Sequence, residues 1–91
     1  MALRTPWPNP ASRGVDLEFR IPTVAMVRAS VLDIAGRKVA SLIDDREMVA
    51  GAHLLHWDGQ DRSGRRVAPG IYMIRVSAGD LMRVQKLVMM K

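Results

Sequence analysis

Cysteine is absent from these 91 residues, which excludes a disulfide framework and a thiolate zinc site, so the fold must hold by packing alone. That absence leaves the compartment open, because a cysteine-free domain tolerates oxidising and reducing surroundings alike. Aromatic residues are scarce. Trp7, Phe19, Trp57 and Tyr72 are the full set, too few for a stacking platform along a nucleic-acid strand once the core has taken its share. Long apolar runs are missing too: nothing approaches the roughly 18 consecutive apolar residues of a membrane-spanning helix, and the opening MALRTPWPNP lacks the apolar stretch of a signal peptide. Histidine occurs twice, at His53 and His56. On a strand that spacing sends the two rings to opposite faces, where they cannot easily share a metal.

The chain is short and basic. At 91 residues one domain of this size buries roughly 60–65% of its unfolded surface, enough for a modest core and too little for a deep catalytic cleft. The net charge of +5 raises the question of a phosphate-rich partner. Distribution argues against nucleic acid: the eleven Arg and three Lys are scattered from Arg4 to Lys91, with nothing denser than Arg62, Arg65 and Arg66, and acidic residues are interspersed among them. A solvated basic face is the ordinary explanation.

Catalytic patterns are also lacking. There is no Gly-rich phosphate loop and no nucleophile elbow, and no His stands beside a credible nucleophile; Asp44-Asp45 and the Asp16/Glu18 pair are typical of turns and exposed strand faces. Asp58, Gln60, Asp61 and Ser63 put four oxygen-bearing side chains close together, but DGQDRSG lacks the alternating Asp spacing of a calcium loop, and Arg62 and Arg65 add positive charge beside it. Self-capping of the loop accounts for these residues. The expectation is therefore no enzyme, no cofactor and no metal.

What the sequence has in abundance is alternation. Val15, Leu17, Phe19 and Ile21 alternate with Asp16, Glu18 and Arg20, a half-buried strand closed by Pro22. A second strand over residues 26–34 keeps Val27, Ala29 and Val31 on one face, then changes phase at Leu32 and Ile34, which predicts a bulge or a strand covered on both sides. Gly36 marks a turn, residues 39–43 resume as a third strand, and Asp44-Asp45-Arg46-Glu47 read as a polar connection. Residues 52–57 form a fourth strand with Leu55 and Trp57 predicted in the core. Residues 71–78 and 81–90 make a terminal hairpin about Gly79-Asp80. Side-chain matching favours a three-residue loop with a bulge, pairing Val76 with Val84, over a strict two-residue loop that sets Val76 against Arg83. The whole reads as an all-β, antiparallel immunoglobulin/fibronectin-III-like sandwich of six to seven strands over residues 11–91, preceded by a proline-rich lead-in or linker over residues 1–10.

A set of short motifs recurs in a telling order: Pro8-Asn9-Pro10, Phe19 and Pro22, then VLDIAGRKV with Gly36 at its turn. There follow Gly51-Ala52-His53, Trp57-Asp58-Gly59, Asp61, Gly64, Val67, Pro69-Gly70-Ile71-Tyr72, and the closing Gln85-Lys86-Leu87-Val88. In this order and spacing the chain resembles the immunoglobulin-like domain of the flagellar hook-capping protein and the C-terminal sorting domains of type IX secretion cargo. Each motif also has a plain physical role. Asn9 between prolines suits a stiff, extended lead-in, Asp58 an Asx turn, and Gly36, Gly59, Gly64 and Gly70 supply backbone freedom around the anchors Trp57 and Tyr72.

The resemblance implies a non-catalytic C-terminal secretion, sorting and surface-attachment module of a larger exported bacterial protein. Its signal peptide would lie elsewhere, and an outer-membrane translocon would read it as a folded signal. Secretion-translocon or sorting proteins and the upstream cargo domain of the same chain are the implied partners, and the location is secreted or cell-surface. The last strand, Lys86, Leu87, Val88, Met89, Met90 and Lys91, is the candidate recognition edge, and its exposed backbone also lends itself to an edge-strand homodimer. The alternative is an ancillary structural or adhesion module, hook-cap-like, that carries no export information. Trp7 is the one platform that a glycan-binding reading would have.

Overall fold

Alternation decides the first long strand. In the computed structural model, which describes residues 1–91, β1 (Ala2–Leu3) is followed by β2 (Val15–Ile21), and Val15, Leu17, Phe19 and Ile21 all point into the core. β3 (Ala25–Asp33), β4 (Lys38–Met48), β5 (Gly51–Trp57), β6 (Gly70–Ala78) and β7 (Leu81–Met89) complete seven strands, with no helix. They form two antiparallel sheets, one of order β1-β2-β5 and one of order β4-β3-β6-β7, and the chain is an immunoglobulin-like β-sandwich. The core lies between them: Phe19, Leu17 and Trp57 from the smaller sheet, and Val27, Val31, Ile74, Val76 and Leu87 from the larger, are essentially without solvent contact.

Both explanations for the phase change in β3 apply. The strand is central, between β4 and β6, and Ser30 and Leu32 are buried as well as Val31; its register against β4 also slips at Ala29, Ser30 and Leu32. Ile34 falls outside the strand, exposed in the turn. Two expectations need correction. Asp44-Asp45-Arg46-Glu47 is not a connection but the second half of β4, an edge strand whose backbone pairs with β3 while its polar side chains face water. Side-chain alternation vanishes there because neither face is covered, and Asp45, at positive φ, forks onto Arg28 with bonds of 2.8–3.0 Å.

The terminal hairpin takes the strict two-residue loop, not the bulged one: Ala78 pairs with Leu81, Val76 with Arg83 and Ile74 with Gln85. Gly79 alone of the two turn residues has positive φ, which the first position of such a turn requires. The gain from a Val76–Val84 pair is overridden further along. The observed register sets Leu87 opposite Tyr72 and Met89 opposite Gly70, with both β7 side chains in the core. A one-residue slip would turn them to solvent.

Trp57 and Tyr72 lock the two sheets at one end. Their rings lie 5.7 Å apart at 59°, within the range of favourable tilted aromatic pairs. Both polar tips are satisfied by the connection from β5 to β6: the Trp57 indole N–H donates to the Gln60 carbonyl (2.9 Å), and the Tyr72 hydroxyl donates to the carbonyl of Ala68 four residues upstream (2.6 Å). This is the tyrosine corner of immunoglobulin-like sandwiches. Burial pushes the Tyr72 hydroxyl pKa up from its ordinary value, with the nearby Asp33 charge adding to it. Tyr72→Phe removes the corner bond while keeping the ring, and is expected to lower unfolding free energy by about 1 kcal/mol in urea titrations, with far-UV circular dichroism unchanged.

Candidate functional site

The residues singled out from the sequence gather at one end of the sandwich, in two groups joined by Tyr72. Across the larger sheet Tyr72 stands between Asp33 of β3 and Leu87 of β7. The first group is the terminal strand with the lead-in. Residues 8–10 bend instead of extending, and both Trp7-Pro8 and Asn9-Pro10 peptides are cis. The bend lays Asn9 and Ala11 along the outer edge of β7. The Asn9 side-chain oxygen accepts from the Val88 amide (3.0 Å), the Ala11 amide donates to the Val88 carbonyl (2.9 Å), and the Met90 amide donates to the Ala11 carbonyl (2.6 Å). Ala11 is itself buried. Ala2–Leu3 pairs with Arg20 and Phe19 of β2, and Trp7 bridges to Asp16, so the stretch before residue 11 is attached to the sandwich at several points.

In the candidate recognition strand, Leu87 and Met89 are therefore core residues, Val88 and Met90 have edge groups already engaged, and Lys86 and Lys91 are exposed. Because Val88 turns its amide and carbonyl outward, alternation along an antiparallel strand gives the same outward direction to Lys86, Val84 and Met82. The Met82 carbonyl is capped by the Arg83 side chain at 2.8 Å. The unpaired part of the edge thus lies at residues 82–86, toward the hairpin, where successive side chains from Leu81 to Val84 are exposed on both faces of the strand.

The second group is the connection from β5 to β6, together with the turn from β3 to β4. Asp58 accepts from the Gln60 amide at 3.0 Å, an Asx turn. Gly59 needs to be glycine twice over: its φ is +79°, and a Cβ there would stand 2.7 Å from the Arg13 carbonyl oxygen. Gly59 also lies against Met89, and the Arg66 guanidinium donates to the Ser12 carbonyl, so loop, lead-in and terminal strand close on one another. Gly70 opens β6 opposite Met89.

Asp61 and Gly64 belong to a turn that the sequence reading does not connect with Gly36. Asp33-Ile34-Ala35-Gly36-Arg37 and Asp61-Arg62-Ser63-Gly64-Arg65 are the same Asp-x-x-Gly-Arg pattern with the same geometry. In each, the Asp amide donates to the Arg carbonyl (2.9 and 2.8 Å), the Gly amide donates to the Asp carbonyl (2.9 and 3.0 Å), and glycine sits at φ +86°. In each, one carboxylate oxygen accepts from the amides two and four residues on, Ala35 and Arg37 in one turn, Ser63 and Arg65 in the other, at 2.9–3.1 Å. The Arg62 amide then donates to the Val39 carbonyl (3.1 Å), which holds the second turn against the first. Between them lies an open basin of about 500 Å³ walled by both turns, Lys38, Arg66 and the segment leading to Tyr72. The repeated five-residue pattern is the sequence signal that would have found it.

The Arg37 amide, ahead of that residue's guanidinium, holds the Asp33 carboxyl below its ordinary range; at Asp61 the Ser63 hydroxyl is the largest cause, followed by the Arg65 amide. A carboxyl whose folded pKa lies below the unfolded value, here 3.8, contributes stability that is complete above that pH and is lost as pH falls through the folded value. The double substitution Asp33→Asn/Asp61→Asn is therefore expected to flatten the fall of the urea midpoint below about pH 4, measured against the parent chain across an acid series. Asn9→Ala is expected to speed hydrogen exchange at the Val88 amide and to cost about 1 kcal/mol, read by amide exchange and urea titration.

The description of the FlgD Ig-like domain family matches residues 11–81. Among solved structures, the chain is similar to PorZ, an essential bacterial surface component of the type-IX secretion system of Porphyromonas gingivalis, at 20% identity with a TM-score of 0.64. That likeness covers 94% of this chain and 11% of PorZ, and at this identity it concerns the fold. No curated protein matches the sequence. With its seven strands, its tyrosine corner and a match across residues 11–81, the chain belongs to the FlgD Ig-like domain family.

Proposed function

We propose that the domain is a non-catalytic sorting and surface-attachment module of a larger exported bacterial protein, read in its folded form by components of a type IX secretion translocon. The observation that carries this reading is the last strand of the sandwich. β7 keeps Leu87 and Met89 in the core while turning the backbone of residues 82–86 and the side chains of Met82, Val84 and Lys86 outward. An edge of that kind suits strand addition by a partner, with backbone bonds supplying affinity and the outward row supplying selectivity. The similarity to a domain-sized part of PorZ, itself a surface component of such a system, supports the same direction. Surface or secreted location follows from the reading, as do the translocon and an upstream cargo domain as partners.

A second reading, an ancillary structural module with no export information, has one specific observation in its favour. Asn9 and Ala11 already occupy the edge groups of Val88 and Met90, so the far end of β7 is built into the fold and is not offered to a partner. Under the sorting reading, recognition then centres on residues 82–86 and the exposed side chains of Lys86 and Lys91. Deleting residues 86–91 is a poor test, because it also strips Leu87 and Met89 from the core. The informative variant is Val84→Glu/Lys86→Glu, which changes only the outward row. Fused behind a signal-peptide-bearing reporter in a host with an active type IX system, the parent domain is expected to reach the surface or medium. The variant, folded by circular dichroism, is expected to stay in the periplasm. Delivery of both would keep the sorting reading but remove the outward row from recognition, whereas retention of both with both folded would move the assignment to the structural module.

A further inference from the structure

We propose that the basin between the two Asp-x-x-Gly-Arg turns is a binding site for a multiply charged oxyanion, a phosphoryl or sulfate group carrying at least two negative charges. Arg37, Lys38, Arg62, Arg65 and Arg66 line it against Asp33 and Asp61. Five cations against two carboxylates leave a net +3 of the chain's +5 in one concavity. This site is separate from the β7 edge and does not depend on how that edge is used.

Three features distinguish it from a merely solvated basic face. The carboxylates are spent mostly within their own turns: Asp33 is taken up by the amides of Ala35 and Arg37 and by the Arg37 guanidinium, the one basin cation that a carboxylate pairs, and Asp61 by the amides of Ser63 and Arg65 and by the Ser63 hydroxyl. Lys38, Arg62 and Arg65 are consequently left with no side-chain hydrogen bond and no ion pair in the fold. The backbone carrying them is also fixed. Each Arg-bearing turn is closed by its own Asp and Gly, and the two turns are tied together by the Arg62 amide on Val39. A concave wall of like charges concentrates potential beyond what the same charges give on a convex surface.

The ligand class follows from the lining. Guanidinium groups match tetrahedral and planar oxyanions through paired N–H donors, and a multivalent anion engages several at once where a monocarboxylate cannot. Tyr72 is the one aromatic in the lining and its hydroxyl is committed to Ala68. No ring is therefore free to stack a base. The site fits one anionic group, free or carried on a larger molecule, better than a nucleic-acid strand.

Inorganic pyrophosphate is the probe, titrated into the 15N-labelled chain at constant ionic strength and followed by amide chemical shifts. Saturable shifts confined to residues 33–39 and 61–68 are expected, with acetate producing none of them. Arg62→Ala/Arg65→Ala is expected to weaken binding roughly tenfold or more. Arg20→Ala/Arg46→Ala, which removes the same charge from exposed strand positions outside the basin, is expected to leave it within about twofold. Equal losses in the two double variants, shifts spread over all the arginines, or matching shifts with acetate would overturn the proposal in favour of general screening. A single-stranded 12-mer DNA that binds more tightly than pyrophosphate and perturbs Arg75 and Lys86 as well would overturn it in favour of a nucleic-acid surface. Pyrophosphate binding is read on the isolated chain, so its failure says nothing about export, and the failure of export says nothing about it.

Discussion

The structure depends on one arrangement, the tilted stack of Trp57 on Tyr72 with both polar tips tied back to a single connection. Each ring belongs to a different sheet, so their contact fixes the separation and angle of the two sheets where they meet. A buried indole N–H or phenol without a partner costs as much as packing gains. Here the carbonyls of Gln60 and Ala68 supply those partners, and in doing so dictate the path of residues 58–69. A connection of this length between two strands would otherwise be the least determined part of so small a domain. It is instead pinned at both ends by core aromatics, in its middle by Asp61, and laterally by Arg62 on Val39 and Arg66 on Ser12.

The same end of the sandwich sets the character of β7. A strand that is both the last of the sheet and its edge has two demands on it, since its inner side chains complete the core while its outer backbone is unpaired. The fold divides the strand between them. Toward Met90, where Leu87 and Met89 are buried, Asn9 and Ala11 close the edge. Toward Leu81 both faces of the strand are open to solvent, and the edge is blunted by Arg83 on the Met82 carbonyl. Stability and accessibility are thus separated along one strand, which lets the outward row change without disturbing what holds the sheets together.

Much of this architecture was legible in the sequence, because alternation is a strong signal wherever one face is covered. β2 reads directly from Val15 to Ile21, and Leu55 and Trp57 identify the buried face of β5. Reading fails where tertiary context replaces pattern. Residues 44–47 carry no alternation because an edge strand beyond the core has nothing to bury. β1 has two residues, and its pairing comes from the docking of the lead-in. The hairpin register is not legible, because the local gain of matching Val76 with Val84 is visible in the sequence, whereas the placement of Leu87 opposite Tyr72 is a property of the closed sandwich. Of the candidate site, the glycines and Asp58 could be read as turn chemistry one at a time. The union of Gly36 with Asp61 and Gly64 in a single basin could not, since it requires the pairing of Asp33 with Tyr72 and the return of the β5–β6 connection over Val39.

That basin also gives the basic balance of the chain a structural cause. Scattered arginines on a small domain usually find carboxylates within reach, as Arg4 does with Glu18 and Arg28 with Asp45. An Asp-x-x-Gly-Arg turn limits such neutralisation, because one carboxylate oxygen caps its own amides: at Asp61 this leaves Arg65 unpaired, while at Asp33 the second oxygen takes Arg37. One such turn is an ordinary hairpin device. Two of them face to face, joined by a backbone bond and lying beside Lys38 and Arg66, convert a local requirement for turn closure into a fixed concentration of positive potential. The cations lie together because the backbone that carries them cannot spread apart without opening both turns and releasing the connection that Trp57 and Tyr72 hold.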